Sequence, residues 1–79
     1  MKDDFLARIT ISPNVCHGKP CIRGMRYPVE VLLEYMASGM THSDILEEFS
    51  DLESNDLLAC LQFAARISKV KSTSDIVQL

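Results

Sequence analysis

The sequence contains no tryptophan and few other aromatic residues, with two tyrosines and three phenylalanines among 79 residues. We therefore expect a core of Leu, Ile, Val, Met and Phe rather than one dominated by aromatic rings. The sequence also lacks an uninterrupted apolar run of about 18 residues, the length that a membrane-spanning helix requires. A membrane partner is therefore not expected.

Cysteine is scarce, and the three cysteines form an odd set. The N-terminal Met-Lys-Asp-Asp is acidic and is not followed by the apolar segment of a secretory signal. Free thiols and a cytoplasmic location are therefore expected. Cys16, His17 and Cys21 lie close in sequence, but structural zinc usually needs four ligands in paired short spacings. We expect no metal and no cofactor.

An excess of positive charge is also lacking, because the formal net charge is −3. This argues against a protein that coats nucleic acid or a membrane surface. The charge is unevenly distributed: residues 1–26 carry five cations and two acids, net +3, whereas residues 27–79 carry three cations and nine acids, net −6. A chain of this length forms one domain, and it is small enough for oligomerisation to help its stability.

The stretch richest in turn-forming residues is 18–29, Gly-Lys-Pro-Cys-Ile-Arg-Gly-Met-Arg-Tyr-Pro-Val, which we call the glycine–proline loop. It holds two glycines, two prolines and three cations, and this combination predicts tight turns. The pair Gly18-Lys19 does not make a nucleotide-binding loop, because Pro20 stands where Ser or Thr must hold magnesium.

Upstream of this loop, polar and β-branched residues alternate from Arg8 to Ser12 and predict a short strand that ends in a turn. So short a strand needs a partner. Three partners remain open from the sequence: Cys21–Arg23, Ile76–Leu79, or the same strand of another copy.

Three amphipathic helices are predicted, at about residues 28–38, 42–49 and 54–68. Pro28 and Gly39 suit the two ends of the first helix. Thr41 and Asp44 form a variant of the capping box at the start of the second. The first and third helices have apolar faces wider than one neighbouring helix can cover, so we expect a homodimer.

Five short motifs follow one another in a recognisable order: Ile11-x-Pro13, Gly18-Lys19-Pro20-x-Ile22-x-Gly24-x-Arg26-x-Pro28-Val29, Gly39-Met40-Thr41, Asp51-Leu52 and Ala64-Ala65. Over residues 9–67 the chain resembles the small bacterial domain-of-unknown-function family four-three-three, often described as antitoxins of VapB type. The central run is specific, because the six positions of Gly18-Lys19-Pro20 and Arg26-x-Pro28-Val29, at fixed spacing, rarely coincide by chance. One departure is Glu53, where family members tend to have a capping Thr. Because Glu caps poorly, we expect Ser54 or Asn55 to cap the third helix.

The resemblance implies a mainly α fold, a trihelical helix-turn-helix-like (homeodomain-like) bundle with a short N-terminal β element. We expect a single antitoxin-like domain over residues 1–71, with the β and loop region at 8–27 and a C-terminal tail at 72–79. The resemblance also implies a PIN-like ribonuclease toxin as partner in a type II toxin–antitoxin pair, together with autorepression through DNA binding by a homodimer.

Candidate nucleic-acid contacts are basic residues, because the start of the third helix is acidic and would repel a polyanion. They are Lys19, Arg23, Arg26 and Arg8. We interpret Lys19 and Arg23 as phosphate contacts. Arg26 is interpreted as mainly structural, fixing the loop through an ion pair or through hydrogen bonds to backbone carbonyls.

The sequence does not predict an enzyme, because the dense carboxylates lie on exposed helix faces and no nucleophile–base arrangement is evident. The acidic helices suit a basic partner, and Ile76, Val77 and Leu79 of the tail are candidate partner contacts. The leading interpretation is an antitoxin-like protein that neutralises a ribonuclease by direct binding. The alternatives are a DNA-binding transcriptional regulator without a toxin and a plain dimeric interaction module.

Overall fold

A computed structural model of the protein describes residues 5–69. Its strands and helices are β1 (Ile9–Thr10), β2 (Cys21–Ile22), α1 (Val29–Ala37), α2 (His42–Glu48) and α3 (Ser54–Ser68). A 3₁₀ turn at Phe5–Arg8 leads into β1, and a second at Cys16–Gly18 lies between the strands. The predicted mainly helical fold with a short N-terminal β element is confirmed.

The two strands pair antiparallel, with Ile9 opposite Ile22 and Thr10 opposite Cys21. Of the three partners that the sequence left open, the structure therefore selects the one within the glycine–proline loop. β1 is shorter than the predicted strand: Arg8 belongs to the preceding 3₁₀ turn, and Ile11 and Ser12 lie beyond the end of β1. The alternative partner Ile76–Leu79 lies outside the described residues.

A tight turn at Arg23 and Gly24 follows β2. Both residues have positive φ, 47° and 72° respectively, and the Met25 amide donates to the Ile22 carbonyl at 2.8 Å. Positive φ at both central positions is the pattern of hairpin turns whose twist matches that of the strands. Glycine adopts this backbone freely, whereas at Arg23 it is uncommon, which directs attention to what the arginine side chain contacts.

The first two helices begin and end close to the residues that the sequence predicts as caps. Pro28 is the N-cap of α1 rather than its first residue. At α2, the amide of Asp44 donates to Thr41 Oγ1 at 3.1 Å and the amide of Thr41 donates to Asp44 Oδ2 at 3.0 Å, which completes the predicted capping box. The expectation for α3 is wrong, because Glu53 itself is the N-cap.

The buried core joins the loop to all three helices. Its members are Ile22, Val29, Leu32, Ile45, Leu52, Leu57 and Cys60. Phe49 packs at its margin, edge-on to Tyr27 at 5.7 Å and stacked on Tyr35 at 5.5 Å between ring centroids. Because Ile22 is fully buried, the glycine–proline loop is anchored in the core at this residue.

Some apolar surface stays in contact with solvent. The large exposed apolar side chains among the described residues are Ile11, Leu61 and Ile67. Within residues 5–69, none of the helices has the length and apolar character needed to cross a bilayer.

Candidate functional site

The centre of the candidate site is Asp56, in the first turn of α3, whose side chain is 0% exposed. It lies on the buried face of the helix with Leu57 and Cys60, at the spacing i, i+1 and i+4. An isolated ionised carboxylate is costly to bury, so its partners determine whether the position is tolerated.

Arg23 supplies the principal partner of Asp56. Its Nε donates to Oδ1 at 3.0 Å and its Nη2 donates to Oδ2 at 2.8 Å, which makes a bidentate pair. The same Nη2 donates to the backbone carbonyl of Asp51 at 3.1 Å. Planar bidentate pairs of this kind are strong and directional. The turn at Arg23 therefore directs its guanidinium to the start of α3.

Arg8 is a second partner of the same carboxylate. Its Nη1 donates to Asp56 Oδ1 at 2.9 Å and to Glu53 Oε1 at 2.8 Å. The Glu53 amide donates to Asp56 Oδ2 at 2.8 Å, so Asp56 also closes the N-terminus of its own helix. We call Arg8, Arg23, Glu53 and Asp56 the Asp56 cluster. Its formal charges sum to zero.

The hydrogen bonds of the cluster keep Asp56 ionised. Burial alone raises the pKa of this carboxyl, but donation from Arg23, from the Glu53 amide and from Arg8 outweighs it, so the pKa lies below the ordinary value of 3.8. The same contacts raise the pKa of both arginines, through Asp56 for Arg23 and through Glu53 and then Asp56 for Arg8. The side chains of Arg8 and Arg23 remain 23% and 35% exposed, but both guanidinium groups are engaged with carboxylates of the same chain.

The other two predicted nucleic-acid contacts lie at the surface. Lys19 Nζ pairs with Glu30 Oε2 at 2.8 Å, and both side chains are more than half exposed. An exposed pair of this kind contributes little stability and opens readily. Arg26 is exposed, and within residues 5–69 its side chain makes no hydrogen bond or ion pair.

The contacts are therefore distributed differently from our interpretation of the sequence. Arg23, taken as a phosphate contact, binds a buried carboxylate, whereas Arg26, taken as structural, is free of such contacts in the described part of the chain. Sequence reasoning also missed Asp56, which it counted only among the acids at the start of the third helix. An acid three residues after the N-cap of an apolar helix could have identified it as a capping residue.

A second charged surface lies on α2. Asp44, Glu47 and Glu48 are exposed there, and we call them the α2 acidic face. Asp44 is engaged with the helix cap, which lowers its pKa through the Thr41 amide and then the Thr41 hydroxyl. The side chains of Glu47 and Glu48 form no ion pair with any residue between 5 and 69. Both carboxylates are therefore available to an external cation.

The cysteines are not brought into a metal site. Across residues 5–69, His, Cys, Asp and Glu do not come together in any group of three or more that could hold a metal ion. Cys21 and Cys60 are buried, and burial raises the pKa of these thiols to about 11 and about 12 respectively. Both are therefore neutral and unreactive near pH 7. The predicted partner contacts Ile76, Val77 and Leu79 lie outside the described residues.

Comparison with known proteins identifies the family of this chain. None of the curated proteins matches the chain. A crystal structure of a DUF433 member protein from Anabaena variabilis ATCC 29413 is similar, with a TM-score of 0.73 and 31% sequence identity over 78% of this chain and 61% of that chain. The present chain thus spans less than two thirds of that solved chain. The model of the family DUF433, described as a protein of unknown function, matches residues 9–64, and the chain belongs to this family.

Proposed function

We propose that the protein is a non-enzymatic, antitoxin-like module that neutralises a PIN-like ribonuclease by direct binding. The observation that carries the proposal is the α2 acidic face, where Glu47 and Glu48 are exposed and form no ion pair within residues 5–69. A nuclease groove that holds RNA is positively charged, and exposed carboxylates are complementary to it. The resemblance to VapB-type antitoxins is the reason for choosing a PIN-like ribonuclease as the partner.

The Asp56 cluster supports a protein partner over a nucleic acid. A protein that binds the phosphate backbone of DNA needs several free Lys or Arg side chains to displace the counterions of the phosphates. Arg8 and Arg23 are instead engaged with Asp56. The glycine–proline loop retains Arg26 and, when its surface pair opens, Lys19. Two cations per chain give a small phosphate-binding surface.

The test is co-expression with a PIN-like ribonuclease encoded in the adjacent reading frame, followed by titration calorimetry and an RNA-cleavage assay. The charge-reversal variant Glu47→Lys/Glu48→Lys should weaken binding by about tenfold or more, equivalent to about 1.4 kcal/mol. The matched control is Glu34→Lys, an exposed acid on α1, which should change affinity less than threefold. Equal loss in both variants, or no complex with the wild type, would overturn the proposal.

The same samples test the expected homodimer. Size-exclusion chromatography with light scattering on the free protein should give twice the chain mass of 8.9 kDa. A mass of 8.9 kDa for the free protein, together with an intact ribonuclease complex, would remove the dimer from the proposal and leave the partner in place.

The second candidate is a DNA-binding regulator, which includes autorepression of the operon. It is favoured by one observation: Arg26, in the same loop as Lys19, is exposed and makes no ion pair within residues 5–69. Operator binding measured by fluorescence anisotropy over a series of salt concentrations tests it. Lys19→Gln/Arg26→Gln should reduce the salt slope by roughly one for each lost phosphate contact. Arg66→Gln, an exposed cation on α3, is the control that should leave the slope unchanged.

A further inference from the structure

An open apolar groove of about 320 Å³ lies between the N-terminal segment and the last turns of α3. Its lining residues are Leu6, Ile9, Ile11, Phe63, Arg66 and Ile67. Ile11 and Ile67 are 65% and 53% exposed, so two of the large exposed apolar side chains of residues 5–69 meet in one place. Single exposed apolar residues are ordinary, but apolar residues that share a groove make a candidate docking surface.

The groove lies beside the point where the chain leaves α3. Ile67 lines it, α3 ends at Ser68, and the sequence continues through residues 70–79. Residues 70–75 can extend by about 20 Å, at about 3.3 Å per residue. The helix rises only about 9 Å from Phe63 to Lys69, at 1.5 Å per residue. The chain beyond Lys69 is therefore long enough to return across the groove.

The composition of this continuation matches the groove. Ile76, Val77 and Leu79 offer three apolar side chains within four residues, directly after the acid Asp75. Arg66 lies on the groove, is exposed and makes no ion pair within residues 5–69. An apolar segment led by a carboxylate is thus complementary to an apolar groove that carries a guanidinium.

We propose that Ile76–Leu79 of the same chain occupy this groove, with Asp75 paired to Arg66. A short linker gives a tethered segment an effective concentration on the order of millimolar, well above the micromolar concentration of a second chain. This concentration difference selects the chain's own segment over that of another copy. The contact covers Ile11 and Ile67 and is independent of ribonuclease binding.

The direct test is NMR spectroscopy of the full chain with labelled Ile, Val and Leu methyl groups. Nuclear Overhauser effects are expected between the methyls of Ile76 or Val77 and those of Ile11 or Ile67. A sample that mixes labelled with unlabelled chains separates contacts within one chain from contacts between chains. Contacts seen only between chains, or no contact to the groove in either sample, would overturn the proposal.

A pair of variants gives a second measurement. Ile76→Asp/Val77→Asp should release the segment, shift the Ile11 and Ile67 methyl resonances and raise the fluorescence of a hydrophobic dye several-fold. Ser72→Asp/Ser74→Asp adds the same charge within the polar stretch and should leave both signals unchanged. Equal responses in the two variants, or no response in either, would contradict the assignment.

Discussion

The N-termini of α2 and α3 are built on the same local pattern but have different surroundings. In each, an Asp three residues after the N-cap accepts the amide hydrogen of the N-cap residue: Asp44 from Thr41 at 3.0 Å, and Asp56 from Glu53 at 2.8 Å. Asp44 is exposed and its carboxylate has no cationic partner within residues 5–69. Asp56 is fully buried and bound by two arginines.

The difference shows that the same local cap can also take part in long-range tertiary contacts. Arg8 and Arg23 lie 48 and 33 residues from Asp56 in sequence, so the burial of this carboxylate depends on the N-terminal segment and the glycine–proline loop meeting α3. At α2 the carboxylate needs only its own helix. Arg8 and Arg23 therefore act first as counter-ions for α3, and their charge is already balanced by Glu53 and Asp56.

The largest expected effect comes from Asp56→Asn, which removes the charge and retains the size of the side chain. Asp56 is fully buried and accepts hydrogen bonds from two partly exposed arginines, so the change should lower the free energy of unfolding by about 3 kcal/mol, the upper end of the scale for hydrogen bonds to charged groups. For a domain of this size that corresponds to a fall in Tm of about 15 °C. Urea and thermal unfolding followed by circular dichroism measure both quantities.

The matched control for this variant is Asp44→Asn, which makes the same chemical change at the exposed cap of α2. Its effect should be much smaller, because Asp44 is exposed and its carboxylate has no arginine partner among the described residues. If the two variants lost the same stability, the arginines would contribute nothing beyond capping and the comparison of the two helix starts would fail.

The next effect is expected from Arg23→Lys, which keeps the charge but replaces the planar guanidinium by a single ammonium group. Lysine cannot reproduce the bidentate bond to Asp56 together with the bond to the Asp51 carbonyl. Because Arg8 remains as a partner, the loss should be about 2 kcal/mol, the scale of hydrogen bonds to charged groups. Arg26→Lys, on the same loop but without a partner among the described residues, should leave urea unfolding unchanged.

Sequence reasoning succeeded where spacing along the chain determines the structure. The three helices follow from periodicity and from residues such as Pro28, Thr41 and Gly39, whose effects are local. It failed at the Asp56 cluster, because nothing in local spacing shows that Arg8 and Arg23 converge on one carboxylate. The roles of Arg23 and Arg26 could not be distinguished for the same reason: both are arginines in one loop, and only the fold decides which of them faces α3.

Acid should weaken the protein through the same cluster. The folded-state pKa of Asp56 is below its ordinary value of 3.8, so the ionised cluster contributes its full stability above that pH. This contribution is lost as the pH falls below 3.8 and through the folded-state pKa. Urea unfolding at pH 7, 5, 4 and 3 should show a steeper fall for wild type than for Asp56→Asn. Parallel curves would mean that Asp56 does not carry the acid sensitivity.

The smallest effect is expected at the simpler of the two helix starts. Thr41→Ala removes the hydroxyl that accepts the Asp44 amide at 3.1 Å and should lower the free energy of unfolding by about 1 kcal/mol, the usual cost of losing an N-cap. Because this cap is local, the loss should add to that of Asp56→Asn in the double variant. If the double variant lost much less stability than the sum of the two single losses, the caps of α2 and α3 would be energetically coupled. The two helix starts would then not be independent.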